Sequence, residues 1–194
     1  MLERTMTLNL DLKDSQMKRL DSENYVEGYA STFERYKLYG DGDTAIYEQF
    51  ERSAFDKTDM SDVILQFDHE GPVFARTSNH TLGLDVDNVG LFVYADLGKT
   101  SRSRELYEDI KAGNVNKMSF RFKCDGYFDE TTRTHVVTNV SKIYDVSAVS
   151  IPANDTTCIE ARAKETAQRS RDLELLKLKV KLMKLKVKLM KGDK

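Results

Sequence analysis

Between residues 25 and 151, short β-branched and aromatic runs alternate with turn signals, and no other feature constrains the fold of this chain as strongly. Residues 25–33, 73–77, 81–86 and 90–97 each have the length and residue types of a strand, and residues 46–55 read as a strand running into a short turn or helix. Gly28, inside the first, predicts a bulge. Residues 37–44 read as a turn around Gly40-Asp41-Gly42-Asp43, which lacks the acidic closing ligand that a calcium loop requires. Asp87-Asn88-Val89-Gly90 predicts a hairpin. Residues 1–21, with Leu8, Leu10 and Leu12 in alternation, read as a first or edge strand. Strands spaced this closely predict a barrel or a sandwich. One helix interrupts them: Ser101 or Ser103 caps it, Leu106 and Ile110 face the core, and Gly113 ends it.

Chemistry enters at residues 117–122. With period two, Met118, Phe120 and Phe122 point one way while Lys117, Ser119 and Arg121 point the other. A single hydroxyl thus stands between two cations on a polar strand face, where an anion developing beside it would be favoured. A serine on a strand face is usually inert, so partners decide the matter. Residues 62–70 form a nearly continuous apolar run that finishes in Asp68-His69-Glu70 before Gly71-Pro72 breaks it. A core strand delivers functional groups to its rim in this way, although His69 also suits a plain turn. Residues 134–140 pair with Tyr127-Phe128 across an Asp129-Glu130 turn, which gives His135 an exposed structural place. In the last strand, residues 141–151, the same alternation puts Ile143, Asp145, Ser147 and Val149 on one face, with Asp145 at a buried surface. A buried carboxylate needs a partner. A catalytic histidine and an arginine both suit it.

Charge divides the chain. Residues 162–194 hold 12 Lys/Arg against 4 Asp/Glu, leaving 18 against 28 in residues 1–161. The domain boundary therefore falls at 161/162, with a basic appendage behind an acidic body. Residues 177–183 read Lys-Leu-Lys-Val-Lys-Leu-Met and residues 184–190 repeat them, which predicts an amphipathic helix with a stripe of Leu178, Leu182, Leu185 and Leu189. Docking to a partner or a coiled coil suits this tail best; a membrane surface or nucleic acid are the other readings of a cationic helix. The acidic body opposes nucleic acid. Cys124 and Cys158 lack metal or redox spacing, and His69, His80 and His135 are scattered, so neither a metal nor a disulfide framework is expected. No Gly-rich phosphate loop calls for a nucleotide cofactor. No apolar run approaches the roughly 18 residues of a membrane span, and no signal peptide is recognisable, so a soluble protein of a reducing compartment is expected.

Seven stretches then fall in one order: Phe33-Glu34-Arg35, Glu51-Arg52-Ser53-Ala54-Phe55, Phe67-Asp68-His69, Arg76-Thr77, Leu91-Phe92-Val93, Met118-Ser119-Phe120-Arg121-Phe122, and the run from Asp145-Val146-Ser147 to Ile151-Pro152-Ala153. Together, over residues 25–162, they resemble the prohead (capsid maturation) serine proteases of tailed double-stranded DNA phages, a family related in fold to the herpesvirus protease assemblin. The resemblance implies a mainly β (α+β) fold, a herpesvirus-protease-like barrel wrapped by helices. It implies a serine endopeptidase without cofactor that cuts scaffolding protein, or the scaffold-like extension of the major capsid protein, inside the prohead in the host cytoplasm. Ser119 would be the nucleophile, His69 the general base and Asp145 the third member, at a place where the family often has glutamate. Asp68 and Glu70 are the other acids near His69, but as strand neighbours they would point away from it. The turn at Ala153 and Asn154 would supply the oxyanion hole by analogy with the herpesvirus enzyme, whose dimers make a homo-oligomer compatible with the resemblance. The basic tail would be an address to scaffold, open to self-cleavage. A non-catalytic β-barrel assembly module of the prohead is the rival reading.

Overall fold

The computed structural model describes residues 2–6, 19–150 and 158–162. Contacts divide the chain into two units, Met1–Ala161 and Arg162–Lys194. The strands of the first unit, in chain order, are β1 (Leu2–Met6), β2 (Tyr25–Thr32), β3 (Tyr36–Tyr39), β4 (Ile46–Phe50), β5 (Ile64–Phe67), β6 (Glu70–Arg76), β7 (Leu82–Val86) and β8 (Gly90–Asp96). Helix α1 (Ser101–Ala112) follows, then β9 (Lys117–Asp129), β10 (Thr134–Val149) and β11 (Cys158–Arg162).

β10 is the spine. Antiparallel β9 runs along one edge of it. Along the other, β4 pairs in parallel with Thr134, His135, Val136 and Val137, and β5 pairs in parallel with Asp145, Val146, Ser147 and Ala148. The chain between β4 and β5 keeps to the same edge: Val140 N–H donates to Ala54 O at 2.7 Å, Asp59 N–H to Ser141 O at 3.1 Å, and Ile143 N–H to Asp59 O at 3.1 Å. Three register shifts bend β10 so that it can serve different neighbours at its two ends. With β1 outside β9, β3 outside β4 and β6 outside β5, this makes a seven-stranded sheet. The remaining strands form a four-stranded sheet in the order β11-β2-β8-β7.

The mainly β, α+β expectation matches this architecture. The barrel does not: among the described residues neither sheet closes on itself, because β2, β7, β8 and β11 pair only with one another. Among the described residues one α-helix lies against the sheets rather than a wrapping of several. Both sheets and α1 feed one core, in which Val26, Leu91 and Val93 meet Phe50, Phe120, Phe122, Ile143 and Leu106. The rings of Phe120 and Phe122 stack at 4.4 Å, and Phe50 stacks on Phe55 at 5.4 Å. Burial of each such side chain contributes roughly 1.5–3 kcal/mol, so the apolar face of β9 is fixed firmly and its polar face with it.

Several local expectations change. The two strands expected at 134–140 and 141–151 are one, because bulges carry β10 through positions that break the alternation. The shift between Ile143 and Asp145 turns Ile143 into the core opposite Phe122, so it does not share a face with Asp145. Gly28 pairs regularly with Val93, and the irregularity in β2 lies between Tyr29 and Ser31. The turn expected at 37–44 yields β3 and then a short 3-10 turn, Gly42–Thr44. Gly71 and Pro72 lie inside β6, which tolerates proline because it pairs with β5 alone and is an edge. Thr100, not Ser101 or Ser103, caps α1 by accepting from Ser103 N–H, while Gly113 closes it at φ 80°. An edge strand does form near the N-terminus, but at Leu2–Met6; Leu8, Leu10 and Leu12 lie outside the described residues, as does the tail helix.

Candidate active site

The β9 alternation holds. Met118, Phe120 and Phe122 are buried in the core, and Ser119 and Arg121 take the opposite face. In the ladder Ser147 stands opposite Ser119, and Asp145 stands opposite Arg121. Directly paired residues share a face, so Ser119, Arg121, Asp145 and Ser147 form one polar square on the β9–β10 pair. Ser119 is a buried side chain, 1% exposed, rather than the surface serine that its polar neighbours suggest. β1 pairs along the outer edge of β9 with Thr5 opposite Ser119, and β10 covers the inner edge.

His69 comes from outside this pair. Phe67 pairs with Glu70, so Asp68 and His69 are the two central residues of the β5–β6 hairpin. Both have positive φ, 47° and 61°, as a type I′ turn demands. Asn-Gly makes such a turn without effort; a left-handed Asp-His costs roughly 1–2 kcal/mol per residue. The apolar run of residues 62–70 is therefore a short strand and a tight turn rather than one strand ending at a rim. The turn lies beside the end of β10, and from there the imidazole folds back to Asp145.

His69 Nδ1 and Asp145 Oδ1 are 2.6 Å apart, and both residues are buried. A carboxylate can only accept, so the neutral ring carries its proton on Nδ1 and leaves the lone pair on Nε2. That Nε2 is buried and has no hydrogen-bond partner among the described residues. A buried nitrogen left unsatisfied costs about 1–3 kcal/mol, so Nε2 is an acceptor that lacks a donor among the described residues. Ser147 Oγ–H donates to the same Asp145 oxygen at 3.0 Å, and Arg121 Nε lies 3.9 Å from Oδ2. Asp145 thus has both partners that a buried carboxylate could be expected to take, with the imidazole much the closer.

Ser119 and Asp145 are diagonal on the ladder, one pair apart. Diagonal neighbours on one sheet face lie about 7–8 Å apart, which is the reach of an imidazole ring plus one hydrogen bond at each nitrogen. The structure joins His69 to Asp145 and sets Ser119 on the same face at the matching offset; no hydrogen bond yet joins Nε2 to Ser119. The carboxylate of Asp68 is committed elsewhere, to Ser150, and Glu70 is exposed. Ala153 and Asn154 lie outside the described residues. Among the described residues no group of three or more His, Cys, Asp or Glu side chains could hold a metal ion, and no helix is long and apolar enough to cross a membrane.

A family profile, that of the caudovirus prohead serine proteases, matches residues 10–172. The chain belongs to that family. No curated protein and no solved structure matches it. Membership makes the protein a peptidase of capsid maturation in tailed phages, acting in the prohead. The matched span takes in His69, Ser119 and Asp145, and it ends before the Lys-Leu repeats that begin at residue 177.

Sequence reasoning missed two participants. Ser147 was legible as a face-mate of Asp145, yet only the ladder sets it opposite Ser119 and against the carboxylate. Ser150 carries no signal in the sequence, because its partner Asp68 is 82 residues away.

Proposed function

We propose that this prohead protease is a serine endopeptidase in which Ser119 attacks the scissile carbonyl, His69 Nε2 takes the Ser119 proton and Asp145 orients the ring. The 2.6 Å contact from Asp145 to Nδ1, which leaves a buried Nε2 free to accept, carries this reading. Proton transfer to His69 makes an imidazolium, which the Asp145 carboxylate stabilises; the same ring then protonates the leaving amine. Water repeats the sequence on the acyl-enzyme, and Ser119 regains its proton. Arg121 adds positive potential to the face on which the oxyanion develops. Backbone N–H groups at Ala153 and Asn154 are proposed for the oxyanion hole on the family resemblance alone.

The substrates we propose are scaffolding protein and the scaffold-like extension of the major capsid protein, with the basic residues of 162–194 as the segment that docks on scaffold. Lysines spaced among leucines suit an acidic or coiled-coil partner. The test is co-expression with the neighbouring capsid and scaffold genes, wild type beside Ser119→Ala, read by intact-mass spectrometry. Discrete scaffold or capsid fragments in the wild type alone establish the protease and map its cuts. Identical masses in both, with shells still assembling, make the domain a non-catalytic module of the prohead.

A further inference from the structure

Asp68 is the first central residue of the turn that carries His69, and its carboxylate binds Ser150. Both of its carboxylate oxygens are engaged: Oδ1 accepts from Ser150 N–H at 2.9 Å and Oδ2 from Ser150 Oγ–H at 2.8 Å. Its own N–H donates to Ala148 O at 2.9 Å. The β5–β10 ladder ends at the Phe67–Ala148 pair, so these three bonds continue it by one step past the last strand residue. They fix the turn to the very end of the strand that bears Asp145 and Ser147.

The turn needs such a tie. Two consecutive non-glycine residues at positive φ are strained, and only surrounding structure keeps them there. Gln66 Nε2 donates to Gly71 O at 3.2 Å and braces the hairpin internally, but that bond does not attach it to β10. On the proposed reading that His69 is the general base, we infer that Asp68 is a positioning residue: its clamp on Ser150 sets the imidazole against Asp145 and aims Nε2 across the polar square toward Ser119. The clamp lies on the exposed side of the turn, so it acts on the place of the ring and not on its surroundings.

The test uses the full chain with Asp68→Gly and Asp68→Asn. Glycine adopts a φ of 47° without strain and removes the whole side chain with both acceptor oxygens; asparagine also tolerates that φ and keeps one acceptor for Ser150 N–H. Two readouts are taken: the rate at which a fluorophosphonate probe phosphonylates Ser119, and the low-field proton resonance of the His69 Nδ1–H held by Asp145. Asp68→Gly is expected to slow phosphonylation by about 10–100-fold, as misplacement of a catalytic group by an ångström does, and to broaden or abolish the resonance. Asp68→Asn should recover most of both, with thermal unfolding little changed in either variant. Labelling of Asp68→Gly at close to the wild-type rate overturns the inference, and so does equal loss in both variants. If wild type itself does not label, the nucleophile reading fails separately. The resonance then decides the clamp: its loss in Asp68→Gly supports the role, and its persistence ends it.

Discussion

His69 stands just before β6 and His80 a few residues after it, and both have positive φ, 61° and 60°. His80 closes a 3-10 turn at Thr77–Asn79, donating its N–H to Thr77 O at 3.0 Å, and its side chain is exposed. His69 occupies a hairpin turn, is buried and is pressed against a carboxylate from a distant strand. A left-handed histidine is thus not in itself a sign of function. The difference lies in what the turn abuts: solvent at one end of β6, and the end of β10 at the other. On the proposed reading, His69 gains its role from a neighbour far away in sequence.

Substitutions at the two ends should separate accordingly. His69→Ala and Ser119→Ala should each remove cleavage almost entirely, on the order of 10⁶-fold in kcat as in other triads, measured as scaffold fragments over time. A fully active His69→Ala would erase the contrast between the two histidines. Asp145→Asn should fall by up to about 10⁴-fold while keeping a measurable rate, since the amide favours the wrong tautomer but keeps the shape; full activity would move the orienting role to another residue. A milder effect is expected at the base of the His69 hairpin. Hydrogen bonds from Arg76 hold the Asp62 carboxyl down at about 2, below the ordinary value of about 3.9. A depressed carboxyl stabilises the fold fully above its unfolded value, and that contribution is lost as pH falls through the folded one. The thermal advantage of wild type over Asp62→Asn should therefore be present at neutral pH and vanish as pH approaches about 2. The smallest change belongs to His80→Gly, which should stay within about 0.5 kcal/mol of wild-type stability and leave cleavage untouched.

What the sequence could tell about this molecule was local. The alternation of residues 117–122 is set by three buried side chains with period two, so the faces of β9 were legible. The Asp87–Gly90 hairpin was legible for a similar reason: Asp87 Oδ1 accepts from Val89 and Gly90 N–H within the turn itself. The parallel pairings of β4 and β5 with β10 were not legible, because nothing near either strand encodes a partner so far along the chain. The sequence left His69 open between a strand rim and a turn, and the turn is what forms; its type was hidden because Asp-His is an unusual occupant of a type I′ turn. The burial of Ser119 was equally hidden, since polar neighbours in sequence suggest an open face. Asp145 was placed correctly at a buried surface, although one of the face-mates assigned to it, Ile143, is carried into the core by a bulge.

The place of β10 near the end of the folded unit has a consequence for synthesis. His69 emerges from the ribosome 76 residues before its acid partner, an interval of roughly 4–15 s at about 5–20 residues per second. Until β10 arrives, β4, β5 and β9 have no common strand to pair with, and the hairpin bearing the imidazole has nothing to rest on. On the proposed triad, a nascent chain that already holds His69 and Ser119 gains a working site only when β10 delivers Asp145.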